Sequence, residues 1–147
     1  MRLWHYELIE NVLPKAQLVS QWRECLAMKR GWENGTLNHG LVNYIKQYDT
    51  YLFSDYALEI AKEMQRRGIR FQSKFVNEFV KFSKRTNFEL HEHYPEHNDR
   101  YLRECLYNLE EKAMRGMIPK QEWQKIYEKY KNRFDLWCEN SVYSHED

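Results

Sequence analysis

Proline and glycine are scarce, three and five residues in a chain of 147. That shortage argues against a disordered or low-complexity chain and suits a compact helical protein. Cysteine is scarce too. Cys25, Cys105 and Cys138 lie far apart and are odd in number, so they make no disulfide framework, and free thiols in a reducing cytoplasm are expected. No apolar run approaches the length needed to cross a membrane. The start carries Arg2, His5, Glu7 and Glu10 and never reaches the apolar stretch of a signal peptide. Net charge is lacking as well: 23 Lys and Arg stand against 22 Asp and Glu, a formal +1, which is little for a nucleic-acid binder.

Aromatic residues are abundant instead, with five Trp, eleven Tyr and seven Phe. A chain of this length fits one domain, 1–147, able to bury a real core. The charge is unevenly placed. Residues 1–85 hold 14 Lys and Arg against 9 Asp and Glu, whereas residues 86–147 hold 9 against 13. The expectation is a basic half over 1–85, an acidic half over 86–140 and a frayed, patternless tail over 141–147. Phosphate binding needs local rather than global positive charge, so the basic half is where a nucleic acid would be held.

Hydrophobic periodicity predicts an all-α, single compact domain of about six helices. Pro14 can open the first helix, because its missing N–H would be unpaired there in any case. At about 100° per residue, Leu18, Val19, Trp22, Cys25 and Leu26 gather on one side. Glu24 falls away from that side, so the core does not need it. Gly31 to Thr36 reads as a loop, followed by a short helix over Leu41 to Ile45. Ser54 and Asp55 offer an N-cap to a helix that Gly68 stops. Phe75, Phe79 and Phe82, with Val76 and Val80, give the next helix a strongly apolar side. Leu102, Cys105, Leu106, Leu109 and Ala113 then face Trp123, Ile126, Tyr127, Tyr130, Phe134 and Trp137 across Gly116 and Pro119. This pattern is a C-terminal antiparallel helix hairpin.

The functional signal lies between Met1 and Arg30. The run Met1-Arg2-Leu3-Trp4, followed by Leu18 and then Trp22-Arg23-Glu24, resembles the pyrimidine dimer DNA glycosylases of the endonuclease V type. The likeness is strongest over the first third of the chain and continues to a helix end at Arg66-Arg67-Gly68. It implies that the Met1 amine is the nucleophile and Glu24 the catalytic carboxylate, with Arg23 and Arg2 near the target nucleotide. It also places His39 near bound DNA. The family pattern is not followed everywhere. The family begins with a small residue exposed by removal of the initiator, whereas the bulky Arg2 should leave Met1 in place. Gln17 stands where a histidine is expected on the first helix. Ala27 stands where a further arginine is expected, with Lys29 and Arg30 as the nearest substitutes. Arg66 and Arg67, joined by Arg70 and Lys74, make a basic cluster that can serve phosphate contact or simply a capped helix end.

The chemistry follows from the groups themselves. An α-amine titrates near about 7.7–8.0 and a lysine near about 10.4, so at neutral pH roughly a tenth of α-amines are unprotonated, against under roughly a thousandth of lysines. Such an amine can attack the sugar C1′ of a damaged nucleotide, expel the base and leave an imine. A nearby carboxylate then moves the protons of ring opening and strand cleavage. The expected activity is that of a DNA glycosylase with abasic-site lyase activity. It would act on double-stranded DNA carrying a pyrimidine dimer or another damaged base, without a cofactor, as a cytoplasmic monomer. Two other readings stay open. One is a non-enzymatic helical module that uses the same basic half to hold nucleic acid or an acidic partner. The other is a metal hydrolase built on His91, His93 and His97, which have a metal-like His-x-His spacing but no evident fourth ligand.

Overall fold

The computed structural model describes the backbone of residues 1–86 and 90–145, and side chains as far as Phe134. Among the described residues there is no strand, and the all-α class expected from periodicity is what forms. Five α-helices follow in order: α1 (Lys15–Glu33), α2 (Thr50–Arg66), α3 (Ser73–Phe82), α4 (Asp99–Met114) and α5 (Lys120–His145). Short 3-10 segments occupy Tyr6–Leu8 and Asn43–Gln47. The chain gathers into two compact units, Met1–Leu106 and Tyr107–Asp147. Their boundary falls inside α4, whereas the charge changes sign after residue 85. No helix among the described residues is long and apolar enough to cross a membrane.

In the first unit α2 is the central element, with α1 and α3 packed on it. Aromatic rings join these helices. Trp22 meets Phe71 and Phe79 at 5.6 and 5.5 Å between ring centres, and Trp32 meets Phe53 and Phe82 at 6.1 and 5.4 Å. These contacts explain two departures from the sequence reading. First, α1 runs through Gly31 to Glu33, because Trp32 is anchored to rings on α2 and α3. The helix stops instead at Gly35, whose φ of +71° lets it close the last turn in a left-handed conformation that costs other residues. Second, α2 begins at Thr50, a turn before the expected cap. Tyr51, Leu52 and Phe53 are buried and extend the apolar face backwards. Ser54, expected to cap, is buried and donates to the Phe79 carbonyl at 2.9 Å. On α3 only Phe79 is buried, and Val80 is exposed. Phe75, Phe79 and Phe82 share one face, while Val80 projects more than a quarter turn from it.

The turn between the 3-10 segment and α1 is fastened to the end of α2. Glu63, buried on α2, accepts from Arg66 Nε at 2.8 Å, Arg66 Nη2 at 2.6 Å, Arg67 Nε at 2.6 Å and the Asn11 amide at 3.0 Å. Arg66 also donates to the Asn11 side chain, and Arg67 donates to the Leu13 carbonyl at 2.7 Å. Burial alone would raise the Glu63 pKa; the donors from Arg66, Arg67 and Asn11 outweigh it and hold the carboxyl down to about 2. Removing the charge takes the ion partner from the largely covered Arg67 and from the more open Arg66. Glu63→Gln is therefore expected to cost about 3 kcal/mol in chemical unfolding. A loss under about 1 kcal/mol would show that the network is worth no more than a surface pair.

The second unit holds the end of α4, the turn and α5. Gly116 ends α4 with φ +76°, and Met117 donates back to the Lys112 carbonyl at 2.9 Å. Tyr107 and Phe134 approach to 5.6 Å between ring centres, with Trp123 and Tyr127 also against Phe134. The expected antiparallel pairing is thus seen through Phe134. The side chains of Trp137 and Cys138 lie outside the described residues; Cys25 and Cys105 are free and buried. The backbone of α5 stays helical to His145, past the point where fraying was expected. No proline or glycine after Pro119 is present to stop it.

Candidate active site

The lead from Arg2 to His5 is extended and passes through the interior, with Leu3, Trp4 and His5 buried. A buried backbone must pair its polar groups, and no strand is at hand. Side chains from four segments do the work. Gln21 Oε1 on α1 accepts from the Trp4 amide at 2.7 Å, and Gln21 Nε2 donates to the Arg2 carbonyl at 2.9 Å. Tyr56 on α2 donates to the Trp4 carbonyl at 2.7 Å. Tyr101 on α4 donates to the Leu3 carbonyl. His97, before α4, accepts from the Tyr6 amide at 3.1 Å. The start of the chain is held like a missing strand.

Glu24 lies three residues after Gln21, on the same face of α1. Gln21 Nε2, already bound to the Arg2 carbonyl, also donates to Glu24 Oε2 at 3.2 Å. One amide nitrogen therefore joins the second residue of the chain to the expected catalytic carboxylate. Glu24 is half-buried, and Met1, 45% exposed, is open to a ligand. The Cys25 thiol beside Glu24 is pushed up, by burial first and by the Glu24 charge second. Arg2 is half-buried, its guanidinium carbon 5.7 Å from the Trp4 ring. Burial raises the Cys105 thiol, while the lead's His5 backbone and Arg2 pull it back.

The remaining expected basic residues divide into two groups. Arg23, Arg30, Arg70 and Lys74 are exposed, and the Arg30 and Lys74 cations lie 5.9 and 5.1 Å from the centre of the Phe75 ring. Arg66 and Arg67 are engaged by Glu63 and by the turn before α1. Lys29 is buried and paired with Glu33 at 2.6 Å. It lines an open groove of about 700 Å³ with Arg30, Glu78, Lys81, Phe82 and Lys84, of which Lys81 and Lys84 were not singled out from sequence. His39 is exposed and binds its own loop, its amide donating to Asn43 Oδ1 at 2.8 Å. Gln17, which replaces the expected first-helix histidine, keeps a buried Oε1 without a hydrogen-bond partner among the described residues.

His91, His93 and His97 do not converge on one point, and among the described residues no three His, Cys, Asp or Glu side chains are grouped to hold a metal ion. His93 stacks on Tyr6 at 3.6 Å, and His91 lies edge-on to Tyr48. His97 uses both ring nitrogens. Nδ1 accepts from the Tyr6 amide, so in the neutral ring Nε2 carries the hydrogen and donates to the Tyr44 hydroxyl at 2.6 Å. Burial first, then the neighbouring His5 and His93, push the His97 pKa down from 6.5 to about 3.

A neutral histidine that recovers its ordinary pKa on unfolding binds a proton only in the unfolded chain between those two values. Stability is then full above pH 6.5 and is lost as pH falls toward 3. The unfolding free energy should drop by about 2 kcal/mol between pH 7 and pH 5. His97→Asn, whose carbonyl can still accept from Tyr6, should flatten that slope. An unchanged slope in urea titrations of the variant would remove His97 as its source.

Gln21 is the residue that sequence reasoning missed, together with Tyr56, Tyr101 and the pairing role of His97. A signal was present. Gln21 sits between Leu18 and Cys25 on the apolar stripe of α1, and a polar side chain there must find buried partners. Compared with known proteins, the chain matches a family model described as pyrimidine dimer DNA glycosylase over residues 1–77. No curated protein and no solved structure matches.

Proposed function

Because the chain belongs to the pyrimidine dimer DNA glycosylase family, whose pattern spans more than half of it, we propose that it is a DNA repair glycosylase with abasic-site lyase activity. The Met1 amine attacks C1′ of the damaged nucleotide. The C1′–N bond breaks, the base leaves with a proton, and ring opening gives an imine between Met1 and the sugar. Glu24 removes a proton from C2′, the 3′ phosphate leaves, and hydrolysis of the imine frees the amine. No metal or organic cofactor is required by these steps. The observation that carries the reading is the Gln21 amide, which ties the Arg2 carbonyl and the Glu24 carboxylate to one nitrogen.

The substrate is duplex DNA carrying a damaged base, a pyrimidine dimer being the first lesion to test. Reaching the sugar means opening the stack, at a cost of a few kcal/mol that damage reduces. Phosphates are held by Arg23, Arg30, Arg70 and Lys74, four exposed cations; Arg66 is exposed as well but is paired with Glu63. Arg66 and Arg67 serve mainly to fasten the turn before α1. The test is borohydride trapping on abasic duplex DNA with untagged protein. A covalent protein–DNA adduct is expected. Salt-sensitive binding without an adduct would overturn the enzyme reading in favour of a binding module.

A further inference from the structure

Gln21 is 1% exposed, and every hydrogen-bonding position on its amide is used. Oε1 accepts from the Trp4 amide at 2.7 Å and shares the single Tyr56 O–H, 2.9 Å away, with the Trp4 carbonyl. Nε2 donates to the Arg2 carbonyl at 2.9 Å and to Glu24 Oε2 at 3.2 Å. The orientation of this amide is fixed by the backbone. Trp4 offers an N–H, which only an oxygen can accept; the Arg2 carbonyl accepts only from a donor. A hydrocarbon side chain would leave the Trp4 amide and the Arg2 carbonyl without these partners. An ionised carboxylate would serve Trp4 and Tyr56 but would face the Arg2 carbonyl and Glu24 with oxygen.

From this geometry we infer that Gln21 is the positioning residue of the reaction, holding the amine-bearing start of the chain and the Glu24 carboxylate in register through one nitrogen. It touches neither sugar nor base. Its effect is on distance: nucleophile and proton acceptor must address adjacent carbons, C1′ and C2′, of one sugar. An error of about 1 Å in such an arrangement costs about 100-fold in rate. Tyr56 supports the same unit from α2, binding both the Trp4 carbonyl and Gln21 Oε1.

The inference rests on the amine and Glu24 reading above, and its test separates the two. Single-turnover borohydride trapping and strand cleavage are measured on abasic duplex DNA for wild type, Gln21→Met and Gln21→Glu, with folding checked by thermal melting and DNA affinity measured in parallel. Gln21→Met should lower the single-turnover rate about 100-fold while the dissociation constant for DNA changes little. Gln21→Glu retains the two acceptor contacts and, when protonated, a donor. It should stay active while the pair keeps one proton and lose activity as pH rises, the alkaline limb of its cleavage profile moving down by about one pH unit. Two adjoining carboxylates resist losing both protons, and the second ionisation sets oxygen against the Arg2 carbonyl. If wild type forms no adduct, the amine reading fails and this inference with it. If wild type traps and Gln21→Met, folded, reacts at the same rate, or the profile of Gln21→Glu coincides with wild type, only the positioning role of Gln21 is overturned. Should Gln21→Met not fold, the Gln21→Glu profile alone gives the answer.

Discussion

Glu24→Gln is expected to lower single-turnover cleavage of abasic duplex DNA about 1,000-fold, within the range of about 100- to 10,000-fold that a positioned acid or base contributes. The loss should appear in the rate and not in DNA affinity. Replacing the carboxylate by an amide keeps the volume of the side chain, and its oxygen can still accept from Gln21 Nε2, so the docking of the lead on α1 survives. What disappears is the ability to take a proton from C2′. Imine formation and elimination should then separate. The variant should still yield some trapped adduct, because the amine remains in place, while strand breakage falls further than trapping does. Equal activity in wild type and variant, measured on gels under single-turnover conditions, would remove Glu24 from the mechanism and leave it a solvated residue of α1.

The second large effect concerns the start of the chain. Extending it by one residue before Met1, or acetylating its amine, should reduce trapping and cleavage below detection. Acetylation turns the amine into an amide with no nucleophilic lone pair. Extension by a residue moves the amine by up to about 3.6 Å, far more than a reacting pair tolerates. The lead cannot slide to compensate, because its carbonyls and amides from Arg2 to Tyr6 are bound by Gln21, Tyr101, Tyr56 and His97. These modifications leave the buried contacts of Leu3 and Trp4 untouched, so melting temperature and DNA affinity should hold. A tagged or acetylated protein that cleaves at the rate of the free one would place the nucleophile elsewhere.

Much of this fold was legible in the sequence because helical period and apolar spacing carry it. The faces of α1 and α2, the stops at Gly68 and Gly116 and the folding back of α5 all follow from local pattern. The limits of the reading are equally physical. Gly31 looks like a breaker, yet Trp32 is anchored to Phe53 and Phe82, and tertiary contact outweighs a local cost of about 1 kcal/mol. Ser54 looks like a cap, but its hydroxyl is used inside the core. At the candidate site, Met1 and Glu24 are proposed through the resemblance that their neighbours Arg2, Trp22 and Arg23 carry. The side chains that hold the lead were not legible, because they are set by long-range pairing: Tyr56 and His97 come from positions far from residues 1–6 in sequence. Arg66 and Arg67 illustrate the converse. A cluster of charge in the sequence shows neither its partner nor its exposure, and Glu63 with the turn before α1 takes up both guanidinium groups.

The most direct measurement is to locate the trapped bond. Wild-type protein with a free amine is reduced with borohydride on abasic duplex DNA, digested, and the sugar-bearing peptide sequenced by mass spectrometry. The account predicts one modified peptide, with the added mass on the α-amine of Met1. Mass on the side chain of Lys29, Lys74 or any other lysine, with Met1 unmodified, would contradict it.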